Sequence, residues 1–262
     1  MPSLFHINAF SDQAFNGNPA AVCLLDTSKP DGWLQSVAAQ MNLSETAFVL
    51  PANGGFSLRW FTPLKEVDMC GHATLASAHI LWQQGIVSRQ DTIFFETLSG
   101  KLSARLQENH IELDFPRLNF LPIEPPQQLI KCMGISPIFS AMFGEKHLFV
   151  IEDQQLLEQL APDFSALQSL AGRGVSVTCK SNNSQYDFVS RYFAPWVGIN
   201  EDPANGSSHC ALTPYWAERL NKKELNAYQA SARGGELKLR LAGDRVKISG
   251  RAITVLKAEL LV

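Results

Sequence analysis

Three short stretches carry residues whose types and spacing suit proton chemistry. Ser44-Glu45-Thr46-Ala47-Phe48 places a lone carboxylate at the entry to an apolar strand. Burial disfavours the ionised form, so a carboxylate there is expected to hold its proton more tightly than a solvated one. That suits taking a proton from one carbon and returning it elsewhere. The plainer role for such a residue is a solvated strand end or a helix-cap partner. Cys70-Gly71-His72-Ala73 and Asn205-Gly206-Ser207 each set a glycine at the head of an apolar helical pattern. A helix start exposes unpaired backbone N–H groups and a partial positive charge, so two of them converging would hold a carboxylate. Gly71 and Gly206 allow close backbone approach there.

The elements that must position these residues occur twice. RWFTPLKEVDMCGHATLASAHILW, residues 59–82, returns in degenerate form as RYFAPWVGINEDPANGSSHCALTPYW, residues 191–216. Each copy runs from Arg-aromatic-Phe through an acidic loop to glycine and an apolar helix. The offset of 135 positions between Gly71 and Gly206 also relates Gly100 to Gly235, Leu102 to Leu237, Arg105 to Arg240 and Ile111 to Val246. Self-similarity at that period predicts an internal duplication into two similar domains.

In chain order, strands are predicted over residues 4–10 and 20–25, then a helix from Gly32 to about Met41 capped by Asp31 and stopped at Asn42. Strands follow on both sides of the Asn53-Gly54-Gly55 turn, and a buried helix runs from about His72 to Gln84, ended by Gly85. Short strands fill residues 92–115. Residues 117–128, with Pro122, Pro125 and Pro126, read as the linker. The second half repeats this order, with a strand at 148–153, a helix at 164–171, strands at 174–179 and 186–193, and a hairpin about Gly243-Asp244. The counterpart of Glu45 in that half, within Gly174-Val175-Ser176-Val177-Thr178, holds no carboxylate. The fold class expected is α+β: two pseudo-symmetric domains, residues 1–117 and 118–262, each a mostly antiparallel sheet wrapped around a central helix. The last strand is free to return to the first domain. The economical pairing of the halves sets the two helix starts across a cleft, a favoured place for a small ligand.

Composition narrows the partners. With 45% apolar residues, each half can build a core, and a net charge of -3 gives no basic footprint for nucleic acid or an anionic membrane. A small-molecule substrate is expected instead. The first residues lack the basic start and apolar core of a secretory signal, and no apolar run is long enough to span a bilayer, so a cytoplasmic protein is expected. Five scattered cysteines without a CxxC argue against a disulfide framework or a structural zinc site. Neither a nucleotide motif nor a metal cluster is apparent, and no cofactor is expected.

Five motifs in order, Asn16-Gly17-Asn18-Pro19-Ala20-Ala21-Val22, Ser44-Glu45-Thr46-Ala47-Phe48, Phe61-Thr62-Pro63, Glu66-Val67-Asp68-Met69-Cys70-Gly71-His72-Ala73-Thr74 and Glu201-Asp202-Pro203-Ala204-Asn205-Gly206-Ser207, resemble the PhzF-like phenazine-biosynthesis family. They cover most of the chain. The resemblance implies the diaminopimelate epimerase-like fold and a cofactor-independent isomerase that moves a proton within a small carboxylate. It implies Glu45 as the acid/base and His72 and Asp202 as catalytic groups that bind and polarise substrate. Ser207 would donate a hydrogen bond at the second helix start, with Asn18, Gly71, Ala73 and Gly206 also binding substrate. It further implies a homodimer. Glu66 and Asp68 are expected to shape their loop, and His79 to serve structure.

Two other functions stay open at this level. Cofactor-independent racemases of this fold set one cysteine on each side of the substrate carbon, and Cys70 occupies the place of the first. The second should precede Gly206, where Pro203-Ala204-Asn205 stands, while Cys210 lies about one turn into the helix. The other function is a binding protein that has kept the fold and lost the reaction, since fold alone does not establish activity.

Overall fold

The computed structural model describes all 262 residues, Met1–Val262. The chain divides into two compact units, Met1–Phe115 with Lys247–Val262, and Pro116–Val246. The first boundary falls two residues before the expected one. Residues 247–262, placed by the sequence in the second domain with its last strand free to return, belong to the first unit.

The first unit opens with β1 (Ser3–Ala9) and β2 (Asn18–Leu24), antiparallel to one another. Gly17 makes the intervening turn at φ +75, where an added Cβ would sit 2.3 Å from the Ala9 carbonyl oxygen. Only glycine fits that turn. Helix α1 (Asp31–Met41) carries the chain to β3 (Glu45–Ala52), which runs parallel to β2 and antiparallel to β4 (Gly55–Phe61). A parallel pair needs such a crossover. Pro30 is the N-cap of α1, and Asp31 is its first residue, bound at 2.8 Å to Arg59 Nη1 instead of capping the helix. Asn42 ends α1 in the left-handed conformation at φ 51. Leu34, Val37 and Ala38 pack with Leu4, Ala21, Cys23, Phe48 and Phe61. Each large side chain so buried stabilises by roughly 1.5–3 kcal/mol.

After the two-residue β5 (Glu66–Val67), helix α2 (Gly71–Gln83) lies against β1, β2 and β3. Every residue from His72 to Ala78 is buried. With helices on both sides, β2 reads as a buried run, and Ala20 to Cys23 are wholly inaccessible. β6 (Ile93–Thr97), β7 (Gly100–Gln107) and β8 (His110–Pro116) form an antiparallel meander.

The second unit begins in the proline-rich stretch read as a linker, which contains the two-residue β9 (Leu121–Pro122) and leads into α3 (Gln127–Met133). β10 (Phe139–Phe143) and β11 (Lys146–Val150) form a hairpin, with α4 (Gln154–Gln159) and α5 (Phe164–Gln168) before β12 (Gly174–Lys180). β11 is parallel to β12, and β12 antiparallel to β13 (Phe188–Ala194), so the order of pairings matches β2, β3 and β4. β14 (Ile199–Glu201) precedes α6 (Gly206–Leu220), which starts on Gly206 as α2 starts on Gly71. β15 (Glu224–Gln229) and β16 (Gly235–Ala242) are antiparallel. β10, α4 and β15 were not anticipated. β10, Phe139-Ser140-Ala141-Met142-Phe143, is a short apolar run, and α4 and β15 are short segments that mix polar and apolar residues, none of which periodicity alone assigns.

β17 (Arg245–Gly250) spans the division of the chain at Lys247. β18 (Ala252–Glu259) pairs antiparallel with β1 in the first unit, and there Lys247 Nζ reaches Asp114 Oδ2 at 2.5 Å. No helix is long and apolar enough to cross a membrane.

Candidate functional site

In the first unit, the parallel register of β2 and β3 sets Glu45 opposite Ala20. The start of α2 lies beside it. His72, the second residue of α2, brings its Nε2 to 3.2 Å from Glu45 Oε2, with the two side chains 5% and 18% exposed. Ser44 Oγ lies 3.4 Å from the same nitrogen and donates to the Pro19 carbonyl at 3.4 Å. Cys70, the N-cap of α2, places Sγ 3.5 Å from His72 Nδ1. The Ser44 hydroxyl has a single hydrogen, given to Pro19, so it meets Nε2 as an acceptor, and Glu45 Oε2 lies nearer still to that nitrogen.

Asn18 opens β2, fully buried, opposite Ala9. Ala73 is also fully buried, so what it offers is backbone. The first bond within α2 runs from Thr74 N–H to the Cys70 carbonyl. The N–H groups of Gly71, His72 and Ala73 therefore precede the helix ladder and point outward from its start.

Glu66 binds Arg59 through both oxygens, each at 2.7 Å, which raises the guanidinium above its ordinary pKa. The pair ties β5 to β4, the strand that carries Arg59. His79 sits further along α2, its Nε2 3.1 Å from Thr254 Oγ1, and burial lowers its pKa to about 4. It is a neutral structural histidine.

In the second unit, Asn205 organises the start of α6. Its Oδ1 accepts from Ser208 N–H at 2.7 Å and from Ser207 Oγ at 2.9 Å, and its Nδ2 donates to Asp202 Oδ2 at 2.6 Å. Gln229, wholly buried on β15, braces the same loop. It accepts from Asn205 N–H at 2.7 Å and donates to the Asp202 carbonyl at 2.5 Å. Ser207 thus gives its hydroxyl hydrogen to Asn205 and accepts from Lys146 Nζ at 2.8 Å. The donors at this helix start are the Lys146 ammonium and backbone N–H groups, where the sequence had suggested the serine itself. Burial lowers the Lys146 pKa, aided by Arg173 and opposed by Cys210 and Asp202.

Behind the loop, His209 donates from Nδ1 to the Asn205 carbonyl at 2.7 Å and accepts from Ser190 Oγ through Nε2 at 3.4 Å. Burial takes its pKa down to about 4, against smaller opposing effects of the Asn205 carbonyl and Asp202. Burial likewise pushes the Tyr192 hydroxyl above its ordinary range. Cys210 bonds to the Gly206 carbonyl at 3.6 Å, and burial raises its thiol to about 12.

Lys146 and Gln229 went unread in the sequence. A lysine after the Gly144-Glu145 turn looks like a surface residue, and a glutamine in a strand 24 positions beyond Asn205 carries no local signal.

The fold is of the epimerase-like class, and two relatives that this chain resembles over nearly their whole length are named isomerases. A family model described as "Phenazine biosynthesis-like protein" (PhzC-PhzF) matches residues 7–258, and the chain belongs to that family. It is 52% identical to an uncharacterised isomerase of Halalkalibacterium halodurans over 99% of this chain and 98% of the relative. The crystal structure of a PhzF-family phenazine biosynthesis protein from Enterococcus faecalis superposes with a TM-score of 0.95 at 40% identity, covering 100% of this chain and 99% of the other. A probable proline racemase from Agrobacterium radiobacter, at a TM-score of 0.67 and 13% identity over 100% of this chain and 93% of its own, shares the fold.

Proposed function

We propose that this isomerase moves a proton within a small carboxylate substrate, without a cofactor, and that Glu45 is the group that removes and returns it. The observation that carries this reading is the 3.2 Å approach of His72 Nε2 to Glu45 Oε2 between two largely buried side chains. An imidazole so close steadies the carboxylate in either protonation state, and restricted water access keeps the abstracted proton available for return. Asp202, as the resemblance implies, binds polar groups of the substrate, and Lys146, which donates to Ser207, supplies the positive charge at the start of α6 in place of the serine hydroxyl. Removing the proton leaves a carbanion or enolate, and return of the same proton at another carbon completes the isomerisation with no net change in composition.

The two-thiol racemase has less support. The N-cap of α2 is Cys70, but that of α6 is Asn205, and the nearest thiol in that helix, Cys210, is buried and held protonated. An activated thiol needs the opposite environment.

The test is solvent hydrogen exchange in D₂O, followed by NMR, over a panel of small cyclic and amino-acid carboxylates. Loss of exchange in Glu45→Gln with retention in Cys70→Ala is the expected result. Loss only in Cys70→Ala would replace this reading with thiol chemistry, and absence of exchange with every compound would favour a binding protein.

A further inference from the structure

Cys70 and His72 are two positions apart and Glu45 lies 25 positions before Cys70, yet the ligand atoms of all three lie within 4.8 Å of one another. They offer one carboxylate oxygen, one sulfur and one imidazole nitrogen. His72 Nε2 is 3.2 Å from Glu45 Oε2 and 4.0 Å from Cys70 Sγ. Around a tetrahedral zinc ion, bond lengths near 2.0 Å to nitrogen and oxygen and 2.3 Å to sulfur set the N···O edge at about 3.3 Å and the N···S edge at about 3.5 Å. The first edge is already in place, the second needs the thiol to move in by about half an ångström, and the Glu45–Cys70 edge, within 4.8 Å, closes toward about 3.5 Å in the same movement. Cys70 is the N-cap of α2 and His72 its second residue, so the two are held by one rigid element.

We propose that Glu45, Cys70 and His72 form a three-ligand site for a zinc-class divalent cation, and that its occupancy blocks the enzyme. The mixed sulfur, nitrogen and oxygen set selects zinc or cobalt(II) over magnesium and calcium, which prefer oxygen alone. Three protein ligands leave the fourth tetrahedral position for water, as in open zinc sites. On binding, the Cys70 thiol releases its proton to solvent and coordinates as thiolate. The imidazole binds as the neutral form through Nε2, with its hydrogen on Nδ1. The ion then occupies the Glu45 lone pair that would accept the substrate proton. The binding part is independent of the proposed reaction, and the inhibition part rests on it.

The experiment is titration of the full-length protein with cobalt(II), read by absorbance, with zinc added as competitor. The expected result is one cobalt ion per chain, a tetrahedral visible spectrum and a sulfur-to-cobalt charge-transfer band, all displaced by zinc. The band should vanish in Cys70→Ser and persist in Cys132→Ser, which tests the half-buried thiol elsewhere in the chain. In the unsubstituted protein, zinc should also shield Cys70 from iodoacetamide, read by peptide mass spectrometry, so the test stands even if a variant folds poorly. Absence of the band, its persistence in Cys70→Ser, or unshielded alkylation of Cys70 would overturn the site. Zinc binding that leaves D₂O exchange undiminished would keep the site and overturn Glu45 as the proton-transferring group.

Discussion

His72 Nε2 and Glu45 Oε2 approach to 3.2 Å although one residue begins a helix and the other a strand 27 positions earlier. The contact exists because β2 and β3 are parallel, which brings the start of β3 level with the helix that packs upon them.

That distance is expected to be critical. Glu45→Asp keeps the charge but withdraws the carboxylate by roughly 1.5 Å, one carbon–carbon bond. A displacement of about 1 Å at a reacting group can cost about 100-fold in rate, so D₂O exchange should fall by at least that factor. The thermal midpoint should change little. Exchange within about threefold of the unsubstituted rate would show that the carboxylate does not need its present position.

The two arginine–glutamate pairs that brace the acidic loops should differ in strength. Arg191, 9% exposed, binds Glu201 with Nε and Nη2, at 2.7 and 2.8 Å, and its Nη1 serves the carbonyls of Leu157, Glu158 and Leu160. Arg191→Leu strands Glu201 and three carbonyls, and should cost about 3–5 kcal/mol in urea unfolding. Lysine cannot replace the fork and should recover only part of this. Arg59, with a side chain 31% exposed, makes a similar pair with Glu66, and water screens it. Arg59→Leu should cost about 1 kcal/mol or less.

Stability should fall on mild acidification. His79 and His209 both titrate near 4 in the folded chain, below the ordinary 6.5, because burial disfavours their charged forms. The unfolded chain therefore binds more protons between about pH 6.5 and 4. Their contribution is fully present above 6.5 and is lost as pH falls through 4, by up to about 3 kcal/mol for each. Denaturation midpoints measured across this range should slope downward, and His79→Gln should remove part of the slope. A flat profile would mean that these histidines are protonated in the fold.

Asn205 combines a cap with a brace. Asn205→Ala should destabilise the chain by about 1–2 kcal/mol through loss of the Ser208 N–H acceptor. Asn205→Asp keeps that acceptor but sets a second carboxylate where an amide now donates to Asp202 at 2.6 Å. Its thermal midpoint, compared with that of the unsubstituted chain, should therefore drop more at pH 8 than at pH 5, because one of the two acids takes up a proton at the lower pH. Equal drops at both would show that Asp202 and residue 205 do not interact.

The sequence by itself determined the local units. Alternating and continuous apolar runs marked most strands of the first unit, glycine after an acidic loop marked both helix starts, and five motifs marked the family. These signals are legible because each depends on residues within one turn or one strand. Glu45 at the head of β3 was visible for the same reason. Whatever rests on long-range pairing required the tertiary structure. Asp31 reads as a cap, yet Arg59, 28 positions away, draws it into an ion pair. Lys146 joins Ser207 across 61 positions, and Gln229 reaches back 27 to Asp202, contacts that no local pattern encodes. The return of residues 247–262 to the first unit is decided by the pairing of β18 with β1. The convergence of Glu45, Cys70 and His72 follows from the packing of α2 on β2 and β3. Local sequence sets what each segment becomes, and burial of shared apolar faces decides which polar groups those segments carry together.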